Sequence, residues 1–304
     1  MNLLRNVFLF GAIALVFNCC SESDEVTKPE IPQGQTPIRL SSSVNLLRSG
    51  SQNTQIVSGQ KVGFFLNETN ETDYDNNNVE LTADGEGNFT HSTMNYPEEG
   101  STFEFTAYHP YSITSLSDGN IVFSVNTDQS VKADYLNSDL LYSSKTGVEK
   151  SMNVVQMPFA HKLSKLTFVI IKGDGADISD LSKIEILDVL SAVSMDITTG
   201  DLSNASGMPT TISAYGVEGG EEDVETLSGS AAIIVPQTIE SGKKLLRISF
   251  DETTYSYATE EAIAFEGGKE YEFQIEISAQ RIKVSSSIGE WISGGSISGE
   301  GVHE

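Results

Sequence analysis

Few residues in this chain are equipped for covalent or metal chemistry, and their positions narrow the options quickly. The two cysteines are adjacent, Cys19 and Cys20, and follow an apolar run over residues 7–17 after the single residue Asn18. Beyond residue 20 there is no thiol to act as a nucleophile or to form a disulfide, so the rest of the chain must be held by its core. The four histidines, His91, His109, His161 and His303, are far apart in sequence, and none sits in a His-Glu-x-x-His pair. His109 and His161 are expected as core or turn residues bonded to backbone. Asp73, Asp75 and Asn77 alternate like the start of a calcium loop. Asn78, however, stands where that loop needs glycine, and Asp84 where it needs a bidentate glutamate. The segment reads as an Asx-rich turn, with no metal. There is no Gly-x-Ser-x-Gly elbow, phosphate loop or Gly-x-Gly-x-x-Gly. Among 43 acidic residues nothing singles out a pair for glycoside hydrolysis. The expectation is a protein that is not an enzyme and uses no cofactor.

The chemistry that remains is acylation. Residues 1–18 carry Arg5 and then the apolar run, the charged and apolar regions of a secretory signal too short for a transmembrane span. Val16-Phe17-Asn18-Cys19 resembles a bacterial lipobox, with an aliphatic residue three positions before the cysteine that becomes diacylated. Cys19 is the expected lipidation site, and Cys20 the alternative, because Asn18 is bulkier than the usual small residue before the cysteine. Residues 19–36 are polar, acidic and without apolar period, a flexible tether. Ser-Glu-Ser-Asp-Glu at 21–25 resembles the signal that sends lipoproteins to the outer face of the outer membrane in some Gram-negative anaerobes. Lys plus Arg number 18 against 43 Asp plus Glu, a net charge of −25, which argues against nucleic acid or anionic lipid as a partner. Acyl chains, not a basic patch, would attach the protein to a membrane.

These ends must be followed by elements, and from Pro37 onward the period is two. Ile38, Leu40 and Val44 fall on one face of a first strand, with Ser42 in the remaining slot. The same alternation recurs at Val62, Phe64, Leu66; at Phe103, Phe105, Ala107; at Ile121, Phe123, Val125; and at Leu166, Phe168, Ile170. It is cleanest at Tyr271, Phe273, Ile275, Ile277. Turn-forming runs such as Ala-Asp-Gly-Glu-Gly-Asn and Lys-Gly-Asp-Gly separate these segments. Many short half-buried strands imply an all-β fold of sandwiches. Residues 180–190 are the one helix candidate, ambiguous for their β-branched content. Pro158, after a polar stretch, places a boundary near residue 157, so sandwiches are expected over 37–157 and 158–304.

Five segments, in order, resemble the fimbrillin family, the FimA/Mfa-like subunits of type V pili. They are Gly59-Gln-Lys-Val-Gly-Phe-Phe65, Phe103-Glu-Phe-Thr-Ala-Tyr-His-Pro-Tyr111, Asp128-Gln-Ser with Tyr135-Leu-Asn-Ser-Asp-Leu-Leu-Tyr142, Pro158-Phe-Ala-His-Lys-Leu-Ser-Lys-Leu166, and Ile288-Gly-Glu-Trp291. The resemblance implies two tandem transthyretin-like Greek-key β-sandwich domains, exported as a lipoprotein to the outer membrane, cell surface and fimbrium. It also implies an arginine-specific processing protease that removes the first strand, and other pilus subunits as partners through donor-strand exchange.

The residues permit that mechanism. Strand addition needs an alternating segment that can leave, a cleavable loop behind it and a groove of apolar pockets. Ile38, Leu40 and Val44 supply the leaving strand. Arg48-Ser49, within the loop of residues 45–53, supplies the cut. Arg39 lies inside the leaving strand, and Arg247 and Arg281 lie in predicted strands, so Arg48 is the one arginine expected in a flexible loop. As a donor the tail is a poor fit, its apolar residues at 292, 297 and 302 failing to alternate. Residues 281–288 fit better but are expected in the C-terminal sheet. The function expected is a structural subunit (stalk, tip or accessory) contributing to adhesion. The competing reading is a monomeric surface lipoprotein that binds glycans, for which the single tryptophan offers little and the ten tyrosines more.

Overall fold

The computed structural model describes residues 35–44, 56–68, 76–91, 94–112, 116–117, 119–291 and 296–303. In chain order the strands begin β1 (Arg39–Val44), β2 (Lys61–Glu68), β3 (Asn76–Ala83), β4 (Phe89–Thr90), β5 (Thr102–His109), β6 (Leu116–Ser117), β7 (Asn120–Ser124), β8 (Leu141–Glu149) and β9 (Val154–His161). They continue with β10 (Ser164–Lys172), β11 (Leu181–Val189), β12 (Ala192–Asp196), β13 (Thr210–Ser213), β14 (Thr226–Ile234), β15 (Gln237–Ile239) and β16 (Lys244–Phe250). The last are β17 (Thr254–Ala258), β18 (Ile263–Phe265), β19 (Lys269–Ser278), β20 (Arg281–Glu290) and β21 (Ser296–His303). Among the described residues the one helix is α1 (Lys132–Asn137). The protein is all-β.

The alternating segments become strands because each can turn one row of apolar side chains inward. Val62, Phe64 and Leu66 in β2, and Phe103, Phe105 and Ala107 in β5, are buried in one hydrophobic cluster with Leu81, Met157 and Phe159. Their strands form a seven-stranded sheet in the order β1-β9-β8-β5-β2-β3-β4. Leu166, Phe168 and Ile170 in β10, with Tyr271, Phe273, Ile275 and Ile277 in β19, are buried in a second, larger cluster. These belong to a nine-stranded sheet, β13-β11-β16-β17-β21-β20-β19-β10-β14. A three-stranded sheet, β12-β7-β6, crosses the sequence: Ile121 of β7 registers with Met195 of β12, and both are buried in the second cluster. β9 runs through residue 157 and stays in the seven-stranded sheet, so the change of sheet falls between His161 and Ser164.

Residues 180–190 are not a helix but mostly strand β11, paired with β16 and β13. The apolar spacing misleads because the ladder shifts register between Leu181 and Lys183 and again between Ile186 and Val189, where Asp188 takes φ 53°. A bulge adds a residue and breaks period two into something nearer helical spacing. Though it does not alternate, β21 pairs with β20 from Arg281↔Val302 to Ser287↔Ser296 and touches β17 on its other side.

Candidate functional site

β1 is built differently from the other strands of its sheet. The residues turned inward here, Ile38 just before β1 and Leu40 and Ser42 within it, are buried, while Arg39 is exposed. It pairs with β9 in parallel, from Arg39↔Val154 to Val44↔Phe159. On its other side, Ile38 N donates to Met94 O at 2.9 Å, Ser42 N donates to Gly87 O at 2.7 Å, and Tyr96 N donates to Thr36 O at 2.9 Å. A further bridge joins Ser41 to Asn88, next to β4. Since β1 and β4 are the two ends of the sheet order, β1 closes the sheet onto its own far edge. Burying Ile38 and Leu40 is worth about 1.5–3 kcal/mol each. Taking β1 away would strip both flanking backbones of hydrogen-bond partners and uncover the core beneath it.

The side chain of Val44 and residues 45–55, with Arg48 and Ser49, lie outside the described residues. So do Cys19, Cys20 and the whole of residues 1–34. Of the predicted site residues, the structure therefore places Ile38, Leu40 and the backbone of Val44.

The segments quoted for their family resemblance converge elsewhere, on a polar seam. His109, at the end of β5, is 3% exposed, with Nδ1 3.0 Å from Asp139 O and Nε2 2.7 Å from Gln60 Oε1. Burial pushes the His109 pKa below its usual value, so the ring is neutral and has one N–H to donate. Asp139 O accepts it, and the Gln60 amide is best turned to present its nitrogen to Nε2, since amide oxygen and nitrogen are assigned from the network. Asp139 Oδ1 lies 2.8 Å from His161 Nδ1. The His161 ring stacks on Trp291, with 3.8 Å between centroids and 9° between planes. Lys165 Nζ sits 6.0 Å from the Trp291 ring and 3.5 Å from Glu270 Oε1. Burial lowers the Lys165 pKa, and Glu270 opposes that shift. The lone tryptophan is thus a packing residue, 6% exposed.

Sequence reasoning missed Gln129, which is fully buried. Its Nε2 donates to Ile233 O at 2.7 Å, and its Oε1 accepts from Ile233 N at 2.8 Å, along the open edge of β14. Nothing in the seam resembles a nucleophile with its base. Asp73 and Asp75 lie outside the described residues. Asn78 Oδ1 accepts from Tyr108 Oη at 2.9 Å, and Asp84 accepts from the backbone of Glu86 and Asn88. Among the described residues no cluster of His, Cys, Asp or Glu could hold a metal ion, and no helix is long and apolar enough to cross a membrane.

Comparison with known proteins gives these features a setting. The family described as fimbrillin-like matches residues 48–291. No curated protein matches in sequence. The fold is similar to the crystal structure of a candidate cell adhesion protein from Bacteroides uniformis. There the TM-score is 0.65 at 22% identity, covering 86% of this chain and 100% of that one. A second candidate cell adhesion protein, from Bacteroides ovatus, gives a TM-score of 0.65 at 17% identity, covering 88% and 98%. The tip fimbrial protein Mfa3 of Porphyromonas gingivalis, truncated at its C terminus, gives 0.50 at 10% identity, covering 84% and 100%.

Proposed function

Because the chain belongs to the fimbrillin-like family, we propose that it is a structural subunit of a cell-surface pilus that contributes to adhesion and assembles by strand exchange. The observation that carries this reading is the seat of β1: a short strand, buried on its inward face and half-buried on the other, that closes a sheet over an apolar core and is followed by an arginine-bearing segment. Cleavage between Arg48 and Ser49 by an arginine-specific protease would cut β1 from the rest of the chain. The groove would then carry unpaired N–H and C=O groups beside the emptied pockets of Ile38 and Leu40, a template for another subunit's strand. On this reading Cys19 carries the lipid, residues 19–36 tether it, and the outer membrane holds the precursor until the cut releases it. The two sandwich units divide near residue 157, with the change of sheet between His161 and Ser164, and the seam of His109, Asp139, His161 and Trp291 joins strands from each side.

The neighbours described as cell adhesion and fimbrial proteins support a pilus subunit or adhesin. Glycan binding by a monomer is the second reading. It rests on an open cleft of about 330 Å³ where Tyr135 and Tyr215 stack at 4.9 Å beside Lys165, Glu270 and Glu272. Low-dose trypsin followed by N-terminal sequencing and electron microscopy separates the two. The pilus reading expects a new N terminus at Ser49, then SDS-resistant ladders and filaments. A first cut elsewhere, or a cleaved monomer that stays monomeric and melts higher with an oligosaccharide, would sink it.

A further inference from the structure

The strand that must leave has a near copy in the same chain. Residues 38–44 read Ile-Arg-Leu-Ser-Ser-Ser-Val, and residues 282–288, in β20, read Ile-Lys-Val-Ser-Ser-Ser-Ile. The likeness extends to burial. Ile38, Leu40 and Ser42 are 2%, 5% and 6% exposed, while Ile282, Val284 and Ser286 are 0%, 1% and 5% exposed. In each strand the third inward residue is a serine, where a core-facing strand would ordinarily carry another large apolar side chain.

The register sets each serine opposite a large buried side chain, as it also sets Val44 opposite Phe159 and Ile288 opposite Tyr271. Ser42 pairs with Met157 and Ser286 pairs with Phe273, both large side chains that are fully or almost fully buried. At Ser42 the seat is narrow on the other side too, because its N–H reaches Gly87 O at 2.7 Å and Ser41 bridges to Asn88. The Phe89–Phe159 ring pair, 6.4 Å apart, belongs to the same stretch. A close-packed interior gives a large side chain no room where both flanks are already filled.

Simple duplication of one sandwich does not account for the likeness. The strand that stands to β19 as β1 stands to β9, in parallel, is β10. β10 carries Ser164, Leu166, Phe168 and Ile170 inward, so its small residue stands first in the row and not third. The pattern tracks the demands of the seat, not position in the fold.

Resting on the strand-exchange reading above, we propose that the groove vacated by β1 selects its partner by size at the third inward position. The strand it takes, from another subunit, has the form aliphatic–x–aliphatic–x–small–x–aliphatic. Residues 38–44 and 282–288 both satisfy that form, and a strand with a large residue in the small slot is rejected.

The test uses full-chain protein cut after Arg48 and three synthetic peptides in excess: residues 38–44, residues 282–288, and residues 38–44 carrying Ser42→Leu. The readout is release of the fragment ending at Arg48 and binding of labelled peptide by anisotropy. The first two peptides are expected to bind, and the Ser42→Leu peptide to bind at least about tenfold more weakly, as overpacking a filled site implies. Equal binding of the Ser42→Leu peptide would overturn the size code while leaving strand exchange intact. Failure of every peptide, the native one included, would overturn both. A second measurement needs no cleavage. In the uncut chain Ser42→Ala should leave Tm nearly unchanged and Ser42→Leu should lower it by several degrees, and a Ser42→Leu chain as stable as the parent also ends the proposal.

Discussion

His109 shows how much a single buried group constrains this molecule. The ring is enclosed where the end of β5 meets the loop that follows α1, with Asp139 and His161 its nearest titratable neighbours. Burial lowers its pKa in the folded state below the ordinary value of 6.5. Below pH 6.5 the unfolded chain therefore takes up a proton that the folded ring still refuses, and unfolding gains. The contribution of His109 is fully present above the unfolded pKa and is lost as pH falls through 6.5 towards the folded pKa. Melting temperature followed from about pH 7.5 down to about pH 5 should fall more steeply for the parent than for His109→Gln, whose amide can still bond to Asp139 O and Gln60 but cannot charge. Parallel curves would show that the ring is not held neutral.

β14 is the element whose free edge most needs covering. It ends the nine-stranded sheet, and an unpaired strand edge invites pairing with other chains. Two devices cover it. Tyr215 exchanges backbone hydrogen bonds with Ala231, at 2.7 and 2.9 Å, and the Gln129 amide does the work of a ladder residue opposite Ile233. Gln129→Ala would leave the Ile233 N–H and C=O without those partners, a cost of about 1–3 kcal/mol. Thermal unfolding should show a clear drop in Tm and, on heating, earlier aggregation than the parent. An unchanged Tm would mean that solvent serves the edge as well as the amide does.

The same element shows what the sequence discloses and what it hides. β19 was the most legible because it alternates without interruption, and β2, β5 and β10 were legible because a row of three apolar residues keeps period two although each has a register shift in one of its ladders. β11 was not, because bulges around Lys183 and Asp188 displace its apolar residues from period two. The pairing of β7 with β12 and the reach of Gln129 to Ile233 join residues far apart in the chain, and no local pattern encodes such meetings. Of the site, the inward face of β1 was legible down to the odd serine. Its parallel pairing with β9 and its closure onto residues 87–96 were not.

At the scale of the whole molecule, charge sets the terms on which copies can meet. Residues 1–48 hold Arg5, Lys28, Arg39 and Arg48 against Glu22, Asp24, Glu25 and Glu30, so their loss changes no net charge and residues 49–304 keep the full −25. Subunits that exchange strands must therefore approach against strong like-charge repulsion, which acts first on the rate of encounter. Salt shortens the reach of that repulsion, to about 8 Å at physiological ionic strength. The apolar groove and its ladder hydrogen bonds, once filled, depend on it far less. A chain beginning at Ser49 should thus polymerise several-fold faster as salt rises from low to physiological levels, while polymer already formed stays intact when diluted back into low salt. Light scattering during assembly and gel analysis after dilution read the two halves separately. Assembly that slows with added salt would mean that subunits meet through complementary charged patches, and not through a groove that holds its strand by burial and backbone pairing.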